Sequence, residues 1–122
     1  MDSGETIYFA GRELPQGAEP VTSAQLKVGI HYFSVQYLDD NLLIPTIETL
    51  VFLGRDLEPG AEGHLYFQNA DSYRSGKVFR PGVNKFRESI YAQPEDQVNH
   101  IFEFEHGLEE LMRCLVRRKK RR

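Results

Sequence analysis

The stretch LKVGIHYFSVQYLDDNLLIPTIETLVFL, residues 26–53, decides the architecture of this chain. It contains two apolar runs separated by Asp39-Asp40-Asn41, residues that adopt turn or left-handed backbone at low cost. In the first run Val28, Ile30 and Tyr32 alternate with His31, Phe33, Val35 and Tyr37. Both alternating sets are partly apolar, as expected for a central strand or for a bulge near Gly29 that swaps the inward face. In the second run Ile47, Thr49, Val51 and Leu53 form the alternating set expected to face the core. Pro45 cannot donate to a ladder, so it marks the start of that strand or an edge. The stretch reads as one long antiparallel hairpin.

Upstream, residues 1–25 read as mostly irregular. Thr6, Ile7, Tyr8 and Phe9 suggest a short strand, and Gly11, Pro15, Gly17 and Pro20 then break the chain repeatedly. Downstream, the glycines between Gly54 and Gly63 predict a loop, and His64–Gln68 predicts a third strand. Asn69 to Gly76 suits a single helical turn, capped by Asn69 or Asp71 and stopped by Gly76. Lys77–Arg80 is read as a short strand, and residues 83–96 fit either a short helix or a strand. Alternation from Val98 to Glu105 predicts a half-buried strand, with Gly107 separating it from a helix. In that helix Leu108, Leu111, Met112 and Leu115 share one face, expected to lie against the sheet. Glu109 and Glu110 in its first turn and cations in its last complement the helix dipole. The expected fold class is α+β: a mainly antiparallel β-sheet of about five strands, bent or barrel-like, with one C-terminal amphipathic helix.

At 122 residues, 40% of them hydrophobic, the chain is long enough for one domain with its own core. Residues 1–116 are read as a single β-rich domain and residues 117–122 as a basic, solvated tail. Cys114 is the only cysteine, so no intramolecular disulfide forms and a four-cysteine zinc site is excluded. The simplest compartment for such a chain is a reducing one. The acidic N-terminus lacks the apolar stretch of a secretory signal, and no run approaches the roughly 18 apolar residues of a membrane span. The expected location is cytoplasmic.

Charge is divided by position. Eight cations against 18 acids leave −10 on residues 1–112, whereas residues 113–122 carry seven cations and no acid. Arg117, Arg118, Lys119, Lys120, Arg121 and Arg122 are therefore candidate contacts for phosphates, of nucleic acid or of an anionic membrane. The acidic body opposes a polyanion over about a Debye length, which makes nucleic acid the secondary expectation.

The residues that could carry chemistry do not assemble into a signature. His31, His64, His100 and His106 lack metal-ligand spacing, so no metal ligand and no catalytic residue is assigned. Cys114 sits among cations but near a helix C-terminus, where the dipole opposes a thiolate, so it reads as inert. No phosphate-binding glycine loop or nucleophile elbow is present, and no cofactor is assigned. Tyr32, Tyr66 and Tyr73, with Arg55 and Arg74 expected to sit nearby, are the candidate wall of a ligand pocket or interface. The functional expectation is a small non-catalytic module that binds a protein partner or itself, as a homodimer. The alternatives are a nucleic-acid-binding protein using the basic tail, and a ligand-binding or enzymatic barrel with a Tyr/His-lined pocket.

Overall fold

A computed structural model describes residues 7–9, 12–14, 18–60, 62–82 and 87–121. Strands β1 (Ile7–Phe9) and β2 (Arg12–Leu14) pair antiparallel as a separate ribbon. The main sheet contains β3 (His31–Tyr37), β4 (Pro45–Arg55), β5 (His64–Asn69), β6 (Ile90–Pro94) and β7 (Ile101–Phe102). Its spatial order is β6-β5-β4-β3-β7, with antiparallel neighbours throughout. The sheet is open, and with the C-terminal helix it makes the expected α+β architecture.

The hairpin of β3 and β4 is the centre of this sheet. Tyr32 pairs with Leu50 and Val35 with Ile47, and Pro45 opens β4 opposite Tyr37. The Asp39 carboxylate closes the turn by accepting the backbone N–H groups of Leu43, at 3.0 Å, and Ile44, at 2.8 Å. This is the local hydrogen bonding that makes aspartate a turn residue. The hairpin differs from expectation at its base. Gly29 adopts a positive φ of 83° and donates to the Phe52 carbonyl, so residues 27–30 form a turn and β3 starts at His31. Val28 and Ile30 consequently project into solvent and are not part of a strand face.

The main core lies on one face of the sheet. Tyr32, Leu50, Phe52, Leu65, Phe67 and Ile101 gather there, covered by Val21, Leu26 and Val98 from the flanking loops. This corrects the inward set expected for β4. Leu50 and Phe52 face the core, because they lie opposite Tyr32 and Phe67, whereas Ile47 is 57% exposed. Val51, on the opposite face, is fully buried, so β4 is covered on both sides at mid-length.

Helix α1 (Ala70–Arg74) forms where predicted. The Asn69 side chain accepts the N–H groups of Asp71 and Ser72, and Gly76 turns the chain with a φ of 86°. Residues 77–80 do not form the expected strand, while residues 87–89 make a 3₁₀ turn that leads into β6.

Helix α2 (Phe104–Lys120) brings two corrections. The strand expected over 98–105 is confined to Ile101–Phe102, and Gly107 lies inside the helix. Gly107 is buried against the sheet, and a Cβ there would stand 3.5 Å from Phe102 Cβ and 3.6 Å from Phe33 Cβ. The site takes a residue no larger than alanine, so Gly107 has a packing role and does not break the helix. The helix rests on β3 and β7 through Gly107, Glu110, Cys114 and Arg117. The leucines expected on the buried face lie beside this ridge: Leu108 is 41% and Leu115 42% exposed.

Candidate interaction surfaces

The five pocket candidates are not brought together. Tyr32 is buried within the main core, and its hydroxyl accepts the Lys27 N–H at 2.9 Å. Tyr66 is equally buried on the opposite face, because it alternates with Leu65 and Phe67 along β5. Its hydroxyl donates to Glu58 at 3.0 Å. Glu58 is gripped by both terminal nitrogens of Arg87, at 2.8 and 3.0 Å, and this guanidinium also lies over the Phe79 ring. The Arg87 contacts hold the Glu58 carboxyl below its usual range. Burial, reinforced by Glu58, pushes the Tyr66 phenol up. Arg55 lies over Phe52, makes a 3.5 Å ion pair with Glu95 and donates to the Ser23 carbonyl. Arg74 is exposed on α1.

Tyr73 lines an open groove of about 480 Å³, walled by Leu53, Leu57, Gln68, Val78 and Phe79, and Tyr32 lines a separate one of about 320 Å³ with Ile30, His31, Glu103 and Phe104. The Gln68 amide is internally engaged, donating to Ser72 Oγ at 2.8 Å and to the Lys77 carbonyl at 2.7 Å. Tyr91 and Asn69, on the core side, both donate to Glu48 at 2.9 Å.

The histidines are dispersed. His31 and His64 begin separate strands, and His106 pairs with the buried Glu109 at 3.3 Å. His100 lies in the turn before β7, 3.3 Å from Gln93 Nε2, and burial lowers its pKa. Among the described residues no three His, Cys, Asp or Glu side chains gather as a metal site would require.

Several apolar side chains among the described residues face solvent, Val28, Ile47 and Val78 among them, and two groups of them bear on function. One is the outer flank of α2. Phe104 is 67% exposed, and with Leu108, Leu111 and Leu115 it forms a stripe at spacings of four, three and four residues. A helix on a soluble domain ordinarily turns charged residues outward. The acids Glu103 and Glu105 stand at one end of this stripe, and Arg118, Lys119, Lys120 and Arg121 at the other, all exposed.

The second is the tip of the β3–β4 hairpin, which sequence reasoning overlooked. Leu38 is 74%, Leu42 37% and Ile44 50% exposed. The signal was present as leucines and isoleucine flanking Asp39-Asp40-Asn41, because a turn at a hairpin end has nothing to bury them against. The C-terminus of α2 is fastened to this tip. Arg117 Nε donates to the Leu42 carbonyl at 2.9 Å and Arg118 Nη1 to the Leu43 carbonyl at 2.7 Å. Arg117 also bonds the Tyr37 hydroxyl at 2.8 Å, and that hydroxyl donates to Glu110. Of the six terminal cations, Arg117 is thus consumed in the fold and Arg118 partly so. Lys119, Lys120 and Arg121 are exposed, and Arg122 lies outside the described residues.

No protein family, curated protein or solved structure matches this chain. The surfaces themselves are therefore the guide to function. No helix among the described residues is long and apolar enough to cross a membrane.

Proposed function

We propose that this chain is a non-catalytic, self-associating module in which α2 of one copy lies antiparallel against α2 of a second. The carrying observation is the outward stripe of Phe104, Leu108 and Leu115, exposed by 67%, 41% and 42%. A contiguous apolar strip of this kind is what an interface covers. The spacing of four, three and four residues keeps the stripe on one side of the helix, as a helix–helix seam requires.

Charge selects the antiparallel arrangement. In a parallel pair the two basic ends would meet and repel. In an antiparallel pair Glu103 and Glu105 of each copy face the cations near Arg118 and Lys119 of the other. The apolar centre, with Leu108 opposite Leu115, supplies the association, and the ends supply its direction.

Size-exclusion chromatography with light scattering over a range of concentrations tests this. The wild-type chain is expected to dimerise, and Leu108→Glu/Leu115→Glu to be monomeric with an unchanged circular dichroism spectrum. Both leucines are substantially solvent-facing, so the double variant retains its core. A wild-type chain that stays monomeric at high concentration, or a double variant that dimerises as well as wild type, overturns the proposal.

A further inference from the structure

The hairpin tip and the end of α2 form one pole of the molecule, held together by the Arg117 and Arg118 bonds to the Leu42 and Leu43 carbonyls. This pole combines two features on one protruding end of the molecule. It projects Leu38, Leu42 and Ile44 into solvent, and it presents the exposed cations Arg118, Lys119, Lys120 and Arg121 beside them. An open groove of about 330 Å³, walled by Asp39, Leu43, Ile44, Arg118 and Arg121, runs between the turn and the helix end.

We propose that this pole docks the protein on an anionic lipid bilayer, with Leu38, Leu42 and Ile44 entering the acyl boundary and the cations engaging the headgroups. The proposal goes beyond pairing through α2 and does not depend on it. Antiparallel pairing leaves the two tips at opposite ends of the dimer, with Leu38, Leu42, Ile44 and Arg121 uncovered, although it brings the second copy's Glu103 and Glu105 near Arg118 and Lys119.

Three arguments favour a lipid surface. First, apolar side chains on a protruding loop gain only where an apolar phase lies directly beneath the charged layer, which is the order of layers at a membrane interface. A duplex nucleic acid presents phosphates without an acyl layer, and would leave Leu38 and Ile44 without a role. Second, the tip carries two acids, and one of them is engaged. Asp39 is tied to the Leu43 and Ile44 N–H groups, and Asp40 is the remaining exposed carboxylate beside the cations. Third, the acidic end of α2 is distant. A helix of 17 residues is roughly 25 Å long, about three Debye lengths at physiological salt. Within one copy, a surface touching the basic end is screened from Glu103 and Glu105. A polyanion long enough to wrap the body would meet the −10 charge of residues 1–112.

The backbone of the tip is suited to insertion without rearrangement. Leu38 N–H bonds the Ile44 carbonyl at 2.9 Å, Asp39 occupies the Leu43 and Ile44 amides, and Arg117 and Arg118 occupy the Leu42 and Leu43 carbonyls. These backbone groups need not be stripped of water as the side chains enter, which lowers the cost of burying a loop in lipid.

Co-sedimentation with lipid vesicles tests the proposal. Full-length protein is mixed with vesicles of phosphatidylcholine alone, or of phosphatidylcholine and phosphatidylserine in equal parts. A short DNA duplex is titrated in parallel. Wild type is expected to bind the phosphatidylserine vesicles and to bind pure phosphatidylcholine weakly. Each cation near such a surface strengthens binding by roughly fivefold, so Lys119→Glu/Arg121→Glu is expected to lower binding by at least twentyfold or so. Leu38→Ser/Ile44→Ser, which alters only exposed side chains, is expected to lower vesicle binding by roughly tenfold and to leave any DNA binding unchanged. Absence of binding to phosphatidylserine vesicles overturns the proposal. So does equal vesicle binding by wild type and Leu38→Ser/Ile44→Ser, which together with tight DNA binding would assign the cations to nucleic acid. Light scattering on the same variants separates this outcome from the dimer, since Leu38 and Ile44 lie off the α2 stripe.

Discussion

Arg117 Nε donates to the Leu42 carbonyl at 2.9 Å, joining the last turns of the C-terminal helix to a hairpin tip 75 residues earlier in the chain. Leu42 has a positive φ of 59°, a conformation that costs a bulky side chain about 1 kcal/mol or more. That backbone is held in part by the guanidinium, which also lies 5.2 Å over the Tyr37 ring and bonds its hydroxyl. Burial and the adjacent Glu110 carboxylate push the Tyr37 phenol well above its ordinary pKa, so it stays a neutral donor to Glu110.

Arg117→Ala removes these contacts at once and is expected to destabilise the fold by about 2 kcal/mol, near the range for hydrogen bonds to a charged group. Arg117→Lys keeps the charge but loses the fork that serves Leu42 and Tyr37 together, and should recover less than half of the loss. Urea midpoints at constant m-value measure both. Equal stability of all three proteins would show that the clamp contributes nothing.

Gly107 is the closest approach of α2 to the sheet. A Cβ at 3.5 Å from Phe102 and 3.6 Å from Phe33 is ordinary van der Waals contact, so Gly107→Ala fits. Alanine also gains up to about 1 kcal/mol of helix propensity, so this variant should be neutral or more stable. Gly107→Val must push the helix off Phe33 and Phe102, and should cost about 1–3 kcal/mol. Thermal denaturation of the two variants tests the sign reversal.

Burial holds the His100 imidazole below its ordinary pKa. Above pH ~6.5 it is neutral whether the chain is folded or unfolded. Below that, the unfolded chain takes up a proton that the folded chain resists. Stability is therefore lost as pH falls from about 6.5 towards the folded pKa, and this contribution is flat below it. His100→Gln should flatten that window in melting curves recorded between about pH 8 and 5. Carboxylates such as Glu58, held low by Arg87, account for further loss under more acid conditions in both proteins. A wild-type curve parallel to that of the variant would remove His100 as the source.

Cys114 is 2% exposed, with its thiol 3.8 Å from the Leu43 carbonyl. It should react with a thiol reagent such as dithiobis-nitrobenzoate only when the chain opens. The expected result is slow labelling in buffer and immediate labelling in denaturant. Rapid labelling of the native protein would mean that the helix end leaves the tip readily. The same measurement on Arg117→Ala is expected to be faster.

Much of the scaffold was legible in local chemistry. Alternating apolar residues around Asp39-Asp40-Asn41 specified a hairpin, because a period of two and a turn-forming carboxylate leave few other outcomes. Asn69 and Gly76 marked the ends of α1 for equally local reasons, a side-chain cap and a left-handed stop. The start of α2 was not legible. Phe102, Glu103, Phe104 and Glu105 continue the strand period two residues into the helix, and a glycine at 107 reads as a boundary unless its neighbours are known.

What the chain order alone established, then, is the set of elements and the segregation of charge, since both depend on residues near one another in sequence. The exposed faces were decided by tertiary contacts. The small Gly107 and Cys114 and the polar Glu110 and Arg117 form the ridge that meets the sheet, and this rotates Leu108 and Leu115 outward. Pairing of Phe52 with Phe67 sets the core face of β5, which leaves Tyr66 on the face opposite Tyr32. Helical or strand periodicity can say which side chains share a face. Only the partner across the gap says whether that face meets protein or water.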